Sequence, residues 1–487
     1  MTEAHAPGAS PGSTLDVAKF LGELSFTRFH VQLLVICSLV TFFDGLDFSL
    51  IAFTLPYLEA DMSLSEDMLG LVSSAAFLGQ MVGSLIGSYI ADLFGRRSVI
   101  IWCTVLSALL TFVTGFANTP EMLIALRLLG GLAIGGLLAP AWSINIESMP
   151  AGKKATAVTI IMLGFSAGGA TAGQVTNLLV DDYGWQGVFY FCGAATGVLA
   201  IVLFFTMPES ARWMTARNQP AHAIRTALQR FAPSADFGRY QSFTLSDERS
   251  VSTASTYGNW LTRSVDSFLK TIRELFRGTL AWITPIIWFT YFCSSFAIYL
   301  KSSFGVLFLT RLDVSAKEAA NIGSITGLTG AVLGVLLLMA TERRGPGWIA
   351  VAPLLGVPAA LFIGLDLFSA DSFIPVILVG GILIGAGHAA VISLTSIYYP
   401  SAVRATGGGW ASFMAKFAAV AAPLLASQWF LSNRREVLDG YVFTGLCLAG
   451  VVIGLIFLAH FAKRLRAERD AEAVAATGQP LPAGASA

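Results

Sequence analysis

Long apolar blocks separated by short polar breaks dominate this chain. A helix needs about 20 mostly apolar residues to cross a bilayer. Read with that window, the sequence gives six runs, near 31–57, 68–91, 98–117, 121–146, 155–180 and 185–207. A polar stretch from Pro208 to Gly278 follows, and then six more runs near 279–309, 318–341, 347–367, 373–398, 408–430 and 441–461. The pattern predicts an all-α membrane protein with twelve transmembrane helices in two six-helix bundles. Its segments are 1–29 (N-terminal), 30–207 (first bundle), 208–278 (central loop), 279–462 (second bundle) and 463–487 (tail).

Composition supports a lipid-covered chain. Of 487 residues, 55% are hydrophobic and 12% charged, against about 25% charged in a soluble domain. The mean hydropathy is +0.70. The formal net charge is zero, so no global field recruits nucleic acid. Met1 to Ser13 lack the apolar core of a secretory signal, so the first run reads as a true span. The five cysteines sit in five separate apolar runs without CxxC or Cys/His spacing. They read as small hydrophobes, and no metal or organic cofactor is expected. No nucleophile/base set is visible, which argues against an enzyme.

The basic residues orient the spans. With the N-terminus inside, 23 of the 30 Lys and Arg residues fall on the cytoplasmic side and 4 on the other. Both termini and the central loop are therefore expected in the cytoplasm. Within that loop, Ala211 to Phe231 has helical spacing and basic residues, which predicts short amphipathic helices. Ser242 to Thr256 is Ser/Thr-rich and reads as flexible. The loop as a whole reads as a solvated linker between the bundles.

Between the second and third spans stands Gly87-Ser-Tyr-Ile-Ala-Asp92-Leu-Phe-Gly95-Arg96-Arg97. It resembles the cytoplasmic signature of the major facilitator superfamily: a tight glycine turn, with Asp92 placed to pair with a basic group or cap a neighbouring helix. Thr341-Glu342-Arg343-Arg344-Gly345 is a degenerate copy in the second half, as parallel repeats predict. In the fourth span, Arg127-Leu-Leu-Gly130-Gly131-Leu-Ala-Ile-Gly135 resembles the family's R-x-x-x-G pattern. Gly131 and Gly135 lie on one face and permit close backbone approach. The fifth span repeats this with Gly164, Gly168, Gly169 and Gly173. It lacks the proline of the superfamily's drug antiporters, which favours uptake.

Ionisable groups inside a bilayer are costly and therefore informative. Asp44 and Asp47 lie in the first span, Arg127 in the fourth, Lys301 in the seventh, His388 in the tenth and Lys416 in the eleventh. In the major facilitator fold the first, fourth, seventh and tenth helices line the central cavity, so five of these six groups fall on cavity helices. Asp44 and Asp47 are three apart on one helix face. They suit proton coupling, or else act as structural carboxylates bonded to Arg127 or to hydroxyls. Arg127 can meet a substrate carboxylate or partner Asp47. Lys301 can bind an anion or snorkel outward. Lys416 can contact substrate or join an ion pair, and His388 can face the cavity or simply satisfy a hydrogen bond. Phe42, Phe43, Tyr291, Phe292, Phe296 and Tyr299 can stack a ring or pack helices.

The run Asp44-Gly45-Leu46-Asp47 resembles the D-G-F-D signature of the aromatic acid:proton symporters. Tyr399-Pro400-Ser-Ala-Val-Arg404-Ala-Thr406-Gly407-Gly-Gly409-Trp410 is similar to that family's Y-P-x-x-x-R-A-T-G-x-G-W. Pro140 to Glu147, leading into Lys153-Lys154, and Pro208-Glu209-Ser210-Ala-Arg212-Trp213 are also similar. The resemblance implies a bacterial inner-membrane symporter, monomeric, importing an aromatic carboxylate with protons by alternating access. Asp44 and Asp47 would couple protons. Arg127, Lys301, His388 and Lys416 would bind the organic anion. Asp92, Gly95, Arg96, Arg97, Glu147 and Arg404 would gate. His388 stands where the family has Gln, Lys416 where it has Arg, and Lys301 where it has an uncharged residue. Lysine lacks arginine's bidentate fork, so the departures point to a different substrate. Another organic-acid or sugar-like symporter, or a transporter-like ligand sensor, remains the alternative.

Overall fold

The computed structural model describes residues 13–245, 273–399 and 401–477. Most of the Ser/Thr-rich stretch Ser242 to Thr256, together with Pro400 of the Tyr399–Trp410 run, lies outside them. The apolar runs fold into α2 (Arg28–Met62), α3 (Glu66–Phe94), α4 (Arg96–Thr114), α5 (Pro120–Ser148) and α6 (Lys154–Thr206). After the central loop come α9 (Leu280–Arg311), α10 (Ala316–Arg344), α11 (Val351–Gly364), α12 (Ala370–Val391), the short α13 (Leu394–Tyr398), α14 (Ser401–Trp429) and α15 (Arg434–Thr477). Eleven helical stretches among the described residues are long and apolar enough to cross a membrane.

One of them is two spans in a single continuous element. Helix α6 has 53 residues; at 1.5 Å per residue that is about 80 Å, more than twice the hydrocarbon thickness. It breaks at Gly184, whose φ of 65° and ψ of −178° suit glycine alone. Dividing there yields the twelve spans of the sequence pattern and places the break between the fifth and sixth runs.

The chain forms two compact units. The first holds residues 13–245 together with Ser302–Leu328 and Pro423–Leu431. Within it, backbones meet through glycine. A Cβ at Gly131 or Gly135 would overlap the carbonyl oxygen of Ala76 or Gln80, and one at Gly79 or Gly83 that of Leu128 or Leu132, so α3 and α5 touch along their length. In the same way Gly45 of α2 meets Phe165 of α6, and Gly168 of α6 meets Phe42 of α2. The glycine face predicted for the fourth span is this contact. Close approach lets dispersion and helix contacts operate where the hydrophobic effect between helices is absent.

The central loop begins as α7 (Ala211–Ala216) and α8 (Ala221–Phe231), as its spacing predicts. It then does something the sequence did not show. Strand β2 (Tyr240–Thr244) pairs in parallel with β1 (Ser13–Asp16), which leads into α1 (Val17–Glu23). Leu15, Val17, Leu21, Leu228, Phe231 and Tyr240 are buried together beneath them. The N-terminal segment and the first part of the loop thus build one small folded layer beside the membrane.

The second unit holds residues 273–301, 329–422 and 432–477. Trp288 of α9 stacks on Trp410 of α14 with centroids 5.5 Å apart. Helix α11 packs on α15, where a Cβ at Gly364 would lie 2.6 Å from the Val442 backbone nitrogen. Gly345 takes φ 99° and ψ 167° at the start of the turn after α10, close to the 98° and 152° of Gly95 after α3. The repeated turn therefore aligns Gly345 with Gly95, and the arginines fall on opposite sides of the two glycines.

Candidate functional site

The first-span carboxylates are both buried, with Asp44 4% and Asp47 2% exposed. Asp47 Oδ1 accepts a hydrogen bond from Thr111 Oγ1 at 2.7 Å and lies 3.8 Å from Arg127 Nη1. Arg127 Nη2 donates to Thr114 Oγ1 at 3.0 Å, and the guanidinium carbon sits 5.1 Å from the Phe189 ring centroid. The structure thus brings Arg127 to Asp47, on a floor supplied by the third and sixth spans. Thr111 and Thr114 escaped the sequence reading, although two threonines three apart on an apolar helix are a visible polar face. Asp47 Oδ2 and Arg127 Nε are buried with no hydrogen-bond partner among the described residues. A buried pair whose hydrogen bonding is incomplete is poorly compensated and sensitive to any change in its charge.

In the second unit, spans seven and ten are joined by three polar rungs. Lys301 Nζ donates to the Gly381 carbonyl at 2.9 Å, Ser294 Oγ hydrogen-bonds His388 Nδ1 at 3.2 Å, and Tyr291 Oη donates to the Ile392 carbonyl at 2.6 Å. Ser294 and Lys301 are seven residues apart on α9, as are Gly381 and His388 on α12, so the first two rungs are about two turns, or 10.5 Å, apart. The Tyr299 ring stands edge-on to His388 at 6.3 Å. Lys301 and His388 are both half-buried. Lysine carries three donors and Gly381 takes one. Lys416 is half-buried on α14, in the same unit. Ser294, which the sequence reading passed over, is the residue that holds the imidazole.

The glycine turn is tied down more heavily than its motif suggests. Arg96 Nη2 bridges Asp92 Oδ1 at 3.1 Å and Glu147 Oε1 at 3.2 Å, while Glu147 Oε2 accepts from Ser210 Oγ. Asp92 therefore pairs with Arg96 and leaves the capping to another acid. Glu209 Oε1 accepts the backbone N–H groups of Arg96 at 3.0 Å, Arg97 at 3.3 Å and Ser210 at 2.9 Å, which caps the N-terminus of α4. Gly95 fits here because its positive φ is free for glycine and because a Cβ would overlap the Glu209 carboxylate. Arg97 Nε donates to the Met207 carbonyl at 2.8 Å, and Trp213 Nε1 to that of Asp92 at 2.9 Å. Arg404 in the second unit donates from Nε to the Tyr399 carbonyl at 3.2 Å.

Burial pushes the Glu209 carboxyl above its usual range, only partly offset by its three N–H donors and Arg96. A raised folded-state pKa means that the fold holds this proton more tightly than the unfolded chain does. Acid should therefore cost the protein no stability through Glu209. Glu209→Ala removes the cap, at about 1 kcal/mol, and should lower the melting temperature of the purified protein by roughly 1 °C. Glu209→Gln keeps an acceptor oxygen and should lose less.

On the opposite membrane side, within the first unit, a second set of polar contacts closes. Arg311 pairs with Glu59 and Lys317 with Asp181. Asn321 Oδ1 accepts from Gln174 Nε2 at 3.1 Å and from Asn177 Nδ2 at 3.0 Å. These link the first and fifth spans to the adjoining ends of α9 and α10. Arg311 and Lys317 entered the sequence reading only as the minority of basic residues on that side.

Comparison with known proteins agrees with this architecture. A model described as the Major Facilitator Superfamily matches residues 37–423. The 4-hydroxybenzoate transporter PcaK of Pseudomonas aeruginosa is 29% identical over 93% of this chain and 98% of its own. A gallate transporter of Pseudomonas putida is 28% identical over 93% of this chain and 96% of its own. Among solved structures, a bacterial homologue of the human lysosomal transporter Spinster, inward-facing and occupied, aligns with a TM-score of 0.65 and 16% identity. That alignment covers 90% of this chain and 98% of the other, and it speaks for the fold. With twelve spans, paired glycine turns and a family match over most of its length, the chain is a multi-pass membrane transporter, not an enzyme, and belongs to the Major Facilitator Superfamily.

Proposed function

We propose that this protein imports an aromatic carboxylate together with protons by alternating access, with both termini in the cytoplasm. The observation that carries the reading is the buried Asp47–Arg127 pair beside Asp44, in the D-G-L-D run of the first span. A proton on Asp47 removes the charge that balances Arg127, and a buried cation without its partner is costly. An incoming anion restores the balance, so proton and anion favour each other's binding, as symport requires. Lys301, with two donors left beyond Gly381, and His388, held through Nδ1 by Ser294, supply groups for the carboxylate and ring substituents, and Lys416 adds a second cation. The Glu59–Arg311 and Asp181–Lys317 pairs serve as the closure on one membrane side, and the turn around Arg96 braces the other end of the first bundle. The relatives named for 4-hydroxybenzoate and gallate supply the substrate class.

The test is uptake into proteoliposomes across a panel including 4-hydroxybenzoate, gallate and benzoate, with and without a protonophore. Accumulation should collapse when the proton gradient is dissipated; uptake indifferent to it sinks the symport reading. Asp44→Asn should bind substrate and exchange it across the membrane yet fail to accumulate it against a gradient. Normal accumulation by that variant would remove Asp44 from the coupling.

A further inference from the structure

We infer that a pocket at the membrane boundary, between the start of the first span and the end of the sixth, binds the phosphodiester headgroup of an anionic phospholipid. The pocket encloses about 700 Å³ and is lined by Arg28, Gln32, Phe205, Thr206 and Arg230, among others, with no acidic residue. Arg28 opens α2 and Arg230 sits in the last turn of α8. Both are exposed, and neither guanidinium makes a hydrogen bond or ion pair with another described residue. Two unengaged guanidinium groups facing one cavity repel each other and match the planar geometry of phosphate oxygens.

The surroundings select a lipid over a soluble anion. Below the pocket, α2 and α6 pack through Leu33, Cys37, Leu199 and Leu203, which are buried in one core. Their outward faces leave Val31 48%, Val35 51%, Ile201 62% and Phe205 80% exposed at the level of the bilayer. One molecule with a negative head and an apolar tail satisfies both halves of this surface. On the water side α8 forms a fixed wall. Phe231 is 4% exposed and packs edge-on to Phe29 at 4.6 Å, and Leu228 is fully buried in the folded layer built with the N-terminal segment. The pocket is thus a consequence of the β1–β2 layer, which places the last turn of α8 over the membrane edge.

Spin-labelled phosphatidylglycerol and phosphatidylcholine, compared by the motionally restricted fraction in phosphatidylcholine proteoliposomes, test the inference. The wild-type chain should prefer phosphatidylglycerol, and each arginine removed should cost about fivefold in that preference. Arg28→Gln with Arg230→Gln should therefore abolish it, while Arg28→Lys with Arg230→Lys should keep most of it. Lys153→Gln with Lys154→Gln removes equal charge elsewhere on the same membrane side and should leave the preference intact. Should the double glutamine variant fail to fold, each single variant reads out its own fivefold. The inference is overturned if the glutamine variants keep the preference, or if the lysine control loses as much through diffuse surface charge. It is also overturned if inorganic phosphate at fixed ionic strength displaces the labelled lipid.

Discussion

Asp47→Asn is expected to cut proton-driven accumulation by at least about a hundredfold. Breaking a buried ion pair by removing one charge costs roughly 3–5 kcal/mol, which is a factor of about 10² to 4 × 10³. The asparagine keeps the size of the side chain and an acceptor for Thr111 Oγ1, so the hydroxyl contact at 2.7 Å can persist. What disappears is the negative charge 3.8 Å from Arg127 Nη1. The guanidinium then rests on Thr114 and the face of Phe189, neither of which carries a compensating charge. Removing both members, in Asp47→Asn with Arg127→Gln, should restore much of the thermal stability, because no unpaired charge is left. It should not restore accumulation, because the charged pair that takes up a proton and an anion together is gone while Asp44 is left without it. Recovery of both stability and accumulation in the double variant would reduce the pair to a structural strut. Retention of uptake in Asp47→Asn alone would dismiss it altogether.

Gly45→Ala and Gly168→Ala should each abolish transport and lower folded yield, although neither changes a charge. A Cβ at Gly45 would overlap the backbone of Phe165, and one at Gly168 the backbone of Phe42. Backbone cannot rotate aside as a flexible side chain can, so α2 and α6 must part. Overpacking of this kind costs typically 1–3 kcal/mol. Because Gly45 lies between Asp44 and Asp47, parting the helices also moves both carboxylates relative to Arg127. Gly197→Ala is the matched control, since nothing lies within 4 Å of a Cβ there. Thermal unfolding and uptake of the three variants, measured side by side, decide the matter. Wild-type behaviour of Gly45→Ala would show that the two spans have room the structure does not give them.

Helix number and class were legible because they depend on local composition: a bilayer leaves a backbone segment no alternative to hydrogen-bonding itself as a helix. The candidate residues were legible for the same reason, since a charge inside an apolar run stands out. Their partnerships were not. The choice between substrate ligand and Asp47 partner for Arg127 could not be resolved along the chain, because Thr111, Thr114 and Phe189 come from spans whose rotation only packing sets. Glu209 lay within a recognised run, yet its capping of α4 across 113 positions of sequence needed the turn at Gly95 to be built.

The polar loop shows the limit most plainly. Its composition read as a solvated linker, and its first helices were predicted from their spacing. The pairing of β1 with β2 joins Thr14 to Ser242, whose hydroxyls lie 2.6 Å apart across 228 positions. Four- and five-residue strands carry too little pattern to announce a partner so far away, and the core beneath them exists only once both ends meet. By itself the sequence determined the membrane, the twelve crossings and the six ionisable groups within them, because each follows from the cost of polar atoms in lipid. The tertiary structure decided which of those groups touch, which acid caps the turn at Gly95 and where α8 comes to rest, because those depend on the approach of helices that only glycine contacts and long-range packing bring together.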